Sequence, residues 1–149
     1  MTRKVKIMLG KSIKEGFIKG LETTWMLAKV LIPVYFIVTF LQYTPVIDWI
    51  AVAFRPLMAL FNLPGEAAIV LVIGNLLNLY AAIGAIKALS LSYMEITIIA
   101  IMLSFSHSLL VETTITKKLG ISVPKVIAIR VGLAVVTGMI IGRVGAFIW

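Results

Sequence analysis

Residues 66–89 read EAAIVLVIGNLLNLYAAIGAIKAL, from Glu66 to Leu89: an apolar run interrupted near its middle by Gly74, Asn75 and Asn78, with Gly84 beyond. A transmembrane helix needs about 20 apolar residues, because the hydrocarbon core is about 30 Å thick. The run is long enough, but amide side chains at membrane depth are costly unless they are paired or face water. Gly74-Asn75 and Asn78 are also residues that tolerate unusual backbone angles, as a hairpin tip or a helix break requires. The segment therefore reads either as a crossing or as a re-entrant hairpin that leaves by the face it entered, and the rest of the chain has to decide.

The surroundings are those of a membrane protein. Of 149 residues, 61% are hydrophobic and 13% charged, which no water-facing surface can be built from, so a soluble domain is excluded. Trp25 to Tyr43 is apolar with aromatic rings at both ends, where they favour the interface, and Pro33 is expected to bend it. Pro45 to Pro64 is apolar but broken by Asp48, Arg55 and Pro56. Tyr93 to about Thr114 follows, and a last span runs from Pro124, with Ser122 before it as a cap, to Trp149. At about 20 residues per span the chain holds at most five crossings. The expected fold is all-α, a polytopic membrane helical bundle: an amphipathic helix over 1–24, then a single transmembrane domain over 25–149. The domain has four to five membrane segments with broken or re-entrant helices.

Charge supplies the orientation. There are 14 Lys or Arg against 6 Asp or Glu, a net +8 crowded toward the two ends, the pattern of an inner-membrane protein and not of a nucleic-acid binder. Seven of the basic residues fall before Trp25 or at Lys29, where Val5, Leu9, Ile13, Phe17 and Leu21 recur every fourth position. That predicts an amphipathic helix, lying in the headgroup region or packed on the cytoplasmic ends of the bundle. The positive-inside rule places this cluster and the loop Lys117, Lys118, Lys125 on the cytoplasmic side, so an even number of crossings separates them. Three simple spans would be odd. Either Pro45 to Pro64 crosses as a broken helix, or it lies on the outer face while Glu66 to Leu89 folds back as a hairpin. Both leave the C-terminus external.

Two polar runs carry the functional signal. In the first, Asn75 and Asn78 are three apart and share a helix face. The second is Ser104-Phe105-Ser106-His107-Ser108-Leu109-Leu110-Val111-Glu112-Thr113-Thr114, in which Ser104, His107 or Ser108, and Glu112 would fall near one stripe. If either helix is unwound there, its freed peptide groups become ligands, as in many transporters. The plainer reading is that these groups hydrogen-bond between helices, worth about 0.6 kcal/mol each. His107 reads as an interhelical or proton-coupling residue. A metal site would want three or four ligands, and with no cysteine and few acids near His107 neither metal nor cofactor is expected. Arg130 and Arg143 lie near the ends of the last span and are expected to snorkel. In that span Ala134, Gly138, Gly142 and Ala146 lay a smooth strip on one face, for close contact within the protomer or across a dimer. No catalytic signature is present: no Gly-x-Ser-x-Gly, phosphate-binding glycine loop or His-Glu-x-x-His.

The stretch Leu63-Pro64-Gly65-Glu66-Ala67-Ala68, the run Gly74 to Gly84, and Ser104-Phe105-Ser106-His107-Ser108-Leu109 with Val111-Glu112-Thr113 together resemble the nucleoside recognition, or Gate, domain family. Related domains sit in concentrative nucleoside transporters, in the ferrous iron transporter B and in the spore maturation proteins A and B. The resemblance implies a transport-type fold with re-entrant or broken helices, and the uncharged hydrogen-bonding groups of the two polar runs suit a small polar solute such as a nucleoside as cargo. The site would be Asn75, Asn78, Ser104, Ser106, His107, Glu112 and Thr113, with Gly74 permitting the break. The absence of cysteine, which the iron-transporting relatives place in their gates, lowers ferrous iron as cargo. One such unit per chain implies assembly in the bilayer as a homodimer, a higher homo-oligomer or a pair with a homologous subunit. A non-transporting scaffold or partner subunit is the rival expectation.

Overall fold

A computed structural model describes the backbone of residues 2–148 and the side chains of 10–145. Seven α-helices account for most of the chain: α1 (Thr2–Gln42), α2 (Pro45–Met58), α3 (Ala67–Leu76), α4 (Leu79–Ala88), α5 (Tyr93–Ser106), α6 (Leu109–Lys118) and α7 (Val123–Ile148). A 3-10 turn, Ala59–Phe61, follows α2, and no strand occurs among the described residues. Three stretches are long and apolar enough to cross a bilayer: Gly10–Gln42, Tyr93–Lys118 and Val123–Gly145. The surface they present is apolar, with Phe36, Val111 and Ile140 among its exposed side chains. Lipid, not water, solvates such a surface.

α1 is one uninterrupted helix. The amphipathic segment and the first span, expected as separate pieces, share an axis with no turn at Trp25, and Pro33 does not end the helix. Every residue from Gly10 to Met26 is exposed, so this part of α1 does not pack on the bundle. Farther along, α1 packs on α4 and α2, with the Leu31 carbonyl 2.8 Å from where a Cβ on Gly84 would sit.

The segment 66–89 folds back. α3 and α4 have 10 residues each, about 15 Å or half a hydrocarbon thickness. They pack on each other closely enough that a Cβ on Gly74 would lie 3.1 Å from that of Ala82, impossible for residues eight apart in a straight helix. Of the two solutions to the crossing parity, the hairpin is the one this fold contains. α2, with 14 residues, rises about 21 Å, short of a full crossing. The chain then doubles back so that Gly65 lies directly against the backbone of Ala51.

The core forms around α3, against which α4, α5 and α2 pack, with Val38 of α1, Phe61 of the 3-10 turn and Ala134 of α7 joining it. Val70, Ile98, Ile99 and Leu103 are its largest fully buried side chains, while Ala67, Ala81, Ala82 and Ala85 let the hairpin sit close to its neighbours. α5 and α7 run antiparallel in extensive contact, Met94 against Gly145 and Met102 against Gly138. Gly142 abuts the backbone of Phe61, so that face of α7 receives the 3-10 turn, and Ala134 is buried in the core. Ala146 lies outside the described side chains.

Candidate functional site

Two helices are broken, and the breaks touch. α3 ends at Leu76; Leu77 and the extended Asn78 (φ −167°, ψ 170°) turn the chain into α4. The Asn78 Oδ1 accepts from the Ala81 N–H at 2.9 Å, so the first break caps its own outgoing helix. α5 ends at Ser106, and Ser108 adopts the left-handed conformation (φ 54°) before α6 begins, with no side-chain cap. In unbroken helices the Gly74 carbonyl would bond the Asn78 N–H, and the Ser108 N–H would bond the Ser104 carbonyl. Instead the Ser108 N–H donates to the Gly74 carbonyl at 3.0 Å. Each break thus satisfies a peptide group that the other released, which a membrane interior demands.

The second break leaves further carbonyls free, and α7 supplies their donor. Arg130 Nε donates to the Phe105 carbonyl at 2.7 Å, and a terminal nitrogen donates to the His107 carbonyl at 3.0 Å. The other terminal nitrogen pairs with Glu112 Oε2. A planar guanidinium with a fork of donors suits this three-way contact, and a single ammonium would not. The charges also complement the helix ends, the cation at the C-terminus of α5 and the carboxylate in the first turn of α6. His107 Nδ1 lies 2.9 Å from the Leu103 carbonyl, and its Nε2 stands 3.8 Å from Glu112 Oε1. Arg130 is therefore not the snorkelling residue expected from its position. Its side chain is only 17% exposed, turned inward to the break, whereas Arg143 is exposed. No short-range pattern marks Arg130, because its partners lie 18 to 25 residues away in the chain.

The expected site residues divide. Asn75 and Ser106 line the same cavity of about 350 Å³, otherwise apolar, between α2, α3, α5 and α7. Asn75 Nδ2 donates to the Leu71 carbonyl while its Oδ1 is buried without a partner among the described residues, and the Ser106 hydroxyl donates to the Met102 carbonyl. His107 and Glu112 come together at Arg130. Ser104 does not join them: it is exposed and donates to the Ile101 carbonyl, since the break turns α6 out of the stripe a continuous helix would give. The Thr113 hydroxyl likewise turns back to the Leu110 carbonyl. Gly74 is not itself the break, which falls at Leu77–Asn78; it stays helical, and its missing side chain lets Leu103 approach, 2.7 Å from where a Cβ would be. Among the described residues, no three His, Cys, Asp or Glu side chains gather as a metal site would need. One readable signal was missed. Ser92-x-x-Glu95 is a capping box, with Glu95 capping the start of α5.

An all-α membrane protein in which a half-helix hairpin and a broken span are joined by a peptide hydrogen bond is the class these features define. The nucleoside recognition (Gate) family matches residues 24–122, and the chain belongs to that family. It is also 50% identical over 129 residues to an uncharacterized membrane protein, YvoD, of Bacillus subtilis (strain 168), a match covering 87% of this chain and 41% of the relative. The chain thus spans less than half the length of that relative. No solved structure matches it.

Proposed function

We propose that the chain is a transporter, or the transporter-like subunit of a larger assembly, for a small polar solute such as a nucleoside, and that the touching breaks are its solute site. The observation that carries this reading is the bond from the Ser108 N–H to the Gly74 carbonyl. A hairpin and a broken span joined by one hydrogen bond between peptide groups can exchange that bond for bonds to a solute without either helix unfolding. Asn75, His107 and Glu112 stand beside it with uncharged and titratable hydrogen-bonding groups. The rival, a non-transporting scaffold or partner subunit, draws support from Asn78, Ser104, Ser106 and Thr113, each already bonded to backbone within its own helix or adjoining turn.

The basic residues favour a cell-membrane orientation with the N-terminus and Lys118 cytoplasmic and the C-terminus external. A hairpin between two full crossings gives the even parity that orientation requires. In proteoliposomes the protein is expected to accumulate labelled nucleoside, and saturating nucleoside is expected to raise the melting temperature of the purified protein by mass action. If no nucleoside or nucleobase does either, transport of this class is wrong and the scaffold reading stands. A cysteine placed at 118 that reacts with an impermeant reagent from outside intact cells would reverse the orientation.

A further inference from the structure

Away from the breaks, at the first turn of α5, lies a second cavity of about 550 Å³, walled by α2, the turn that follows it and Glu95. Glu95 is eleven residues before Ser106, about 16 Å along the helix from the break. The cavity differs in kind from the apolar one near Asn75. Arg55, Asn62 and Glu95 all line it. Arg55 is exposed and forms no ion pair among the described residues, so it is not bridged to the Glu95 carboxylate that shares the wall. Glu95 Oε2 accepts from the Ser92 N–H at 2.6 Å, which holds the carboxylate in place. The opposite wall is fixed as well. Asn62 sits in the left-handed conformation (φ 57°), its N–H bonded to the Ala59 carbonyl and that of Leu63 to the Met58 carbonyl. Gly65 seats directly on the Ala51 backbone.

We propose that this cavity binds a small zwitterion, its carboxylate or phosphate on Arg55 and its ammonium group on Glu95. Arg55 and Glu95 present opposite charges to one concavity without pairing with each other. A simple anion would satisfy Arg55 and be repelled by Glu95, and a simple cation would do the reverse; a molecule carrying both groups satisfies both. The guanidinium fork matches a carboxylate or phosphate, and the Asn62 amide adds a donor and an acceptor nearby. Two sources share this chemistry: a soluble zwitterion such as an amino acid or phosphoethanolamine, and the headgroup of an ethanolamine phospholipid.

The test uses the full-length protein. In detergent, O-phosphoethanolamine or L-alanine is expected to raise the melting temperature saturably, while inorganic phosphate and ethanolamine, the two halves given separately, shift it far less. Arg55→Gln and Glu95→Gln should each weaken the apparent affinity at least tenfold, and glutamine at 95 retains an oxygen for the Ser92 N–H. In a second arm, stabilisation in nanodiscs of phosphatidylethanolamine over phosphatidylglycerol, lost in the same variants, assigns the ligand to the lipid. The proposal is overturned if no zwitterion stabilises the protein in either arm, if both variants respond like the parent, or if phosphate alone matches phosphoethanolamine. Asn75→Ala at the breaks should leave the zwitterion response in place, so this site and the nucleoside site stand or fall separately.

Discussion

The two breaks solve one problem by opposite means. At Leu77–Asn78 the solution is local: the Asn78 side chain caps the next helix, and small residues let α3 and α4 close on each other, Gly74 against Ala82. At His107–Ser108 nothing local suffices. Ser108 has no side-chain cap, α5 and α6 do not pack along each other, and the free peptide groups are taken by Gly74 of the hairpin and Arg130 of α7. The first break is sealed by its own sequence, whereas the second is strapped by groups from other elements. A strapped break can open by losing one side chain. A sealed one opens only if the hairpin itself comes apart, so movement in this fold should begin at residues 107–108.

That contrast can be broken by substitution. The largest effect is expected from Arg130→Met, which strands two carbonyls and the Glu112 carboxylate together. Removing one partner of a buried pair costs about 3–5 kcal/mol, and with Glu112 40% exposed the expected loss is about 2–4 kcal/mol in a denaturant melt. Arg130→Lys should recover only part of it. If Arg130→Met costs no more than Arg143→Met, the second break does not depend on its strap. Gly74→Val tests where the two breaks meet: a side chain there meets Leu103 and Ala82, and overpacking of this kind costs about 1–3 kcal/mol. A variant as stable as the parent would mean that the hairpin can move away without penalty.

The sealed break should respond more mildly. Asn78→Ala removes the cap at Ala81 and is expected to cost about 1 kcal/mol, while Asn78→Ser should stay near the parent. A loss above that of Arg130→Met would invert the comparison. Smallest is Ser108→Gly. Left-handed backbone disfavours a residue with a Cβ, and the added freedom of glycine in the unfolded chain offsets part of the gain, leaving about 0.5 kcal/mol of stabilisation. A clear destabilisation in the same melt would show that the Ser108 hydroxyl has a partner of its own.

What could be read from the chain follows the same division between local and distant causes. Membrane class, helical content and the existence of irregular segments at 74–78 and 104–108 followed from composition and from polar residues inside apolar runs, and crossing parity narrowed the fold to two solutions. The cap at Asn78 and the Ser92–Glu95 box are short-range features too, legible in principle because all their atoms belong to neighbouring residues. Tertiary structure alone decided that 66–89 is the hairpin, that the breaks touch, and that Arg130 serves the second break while Ser104 turns away from it. The physical reason is that a peptide group released inside a membrane must find a partner somewhere, yet its own sequence says only that it was released. Which distant group answers is settled by how the helices pack.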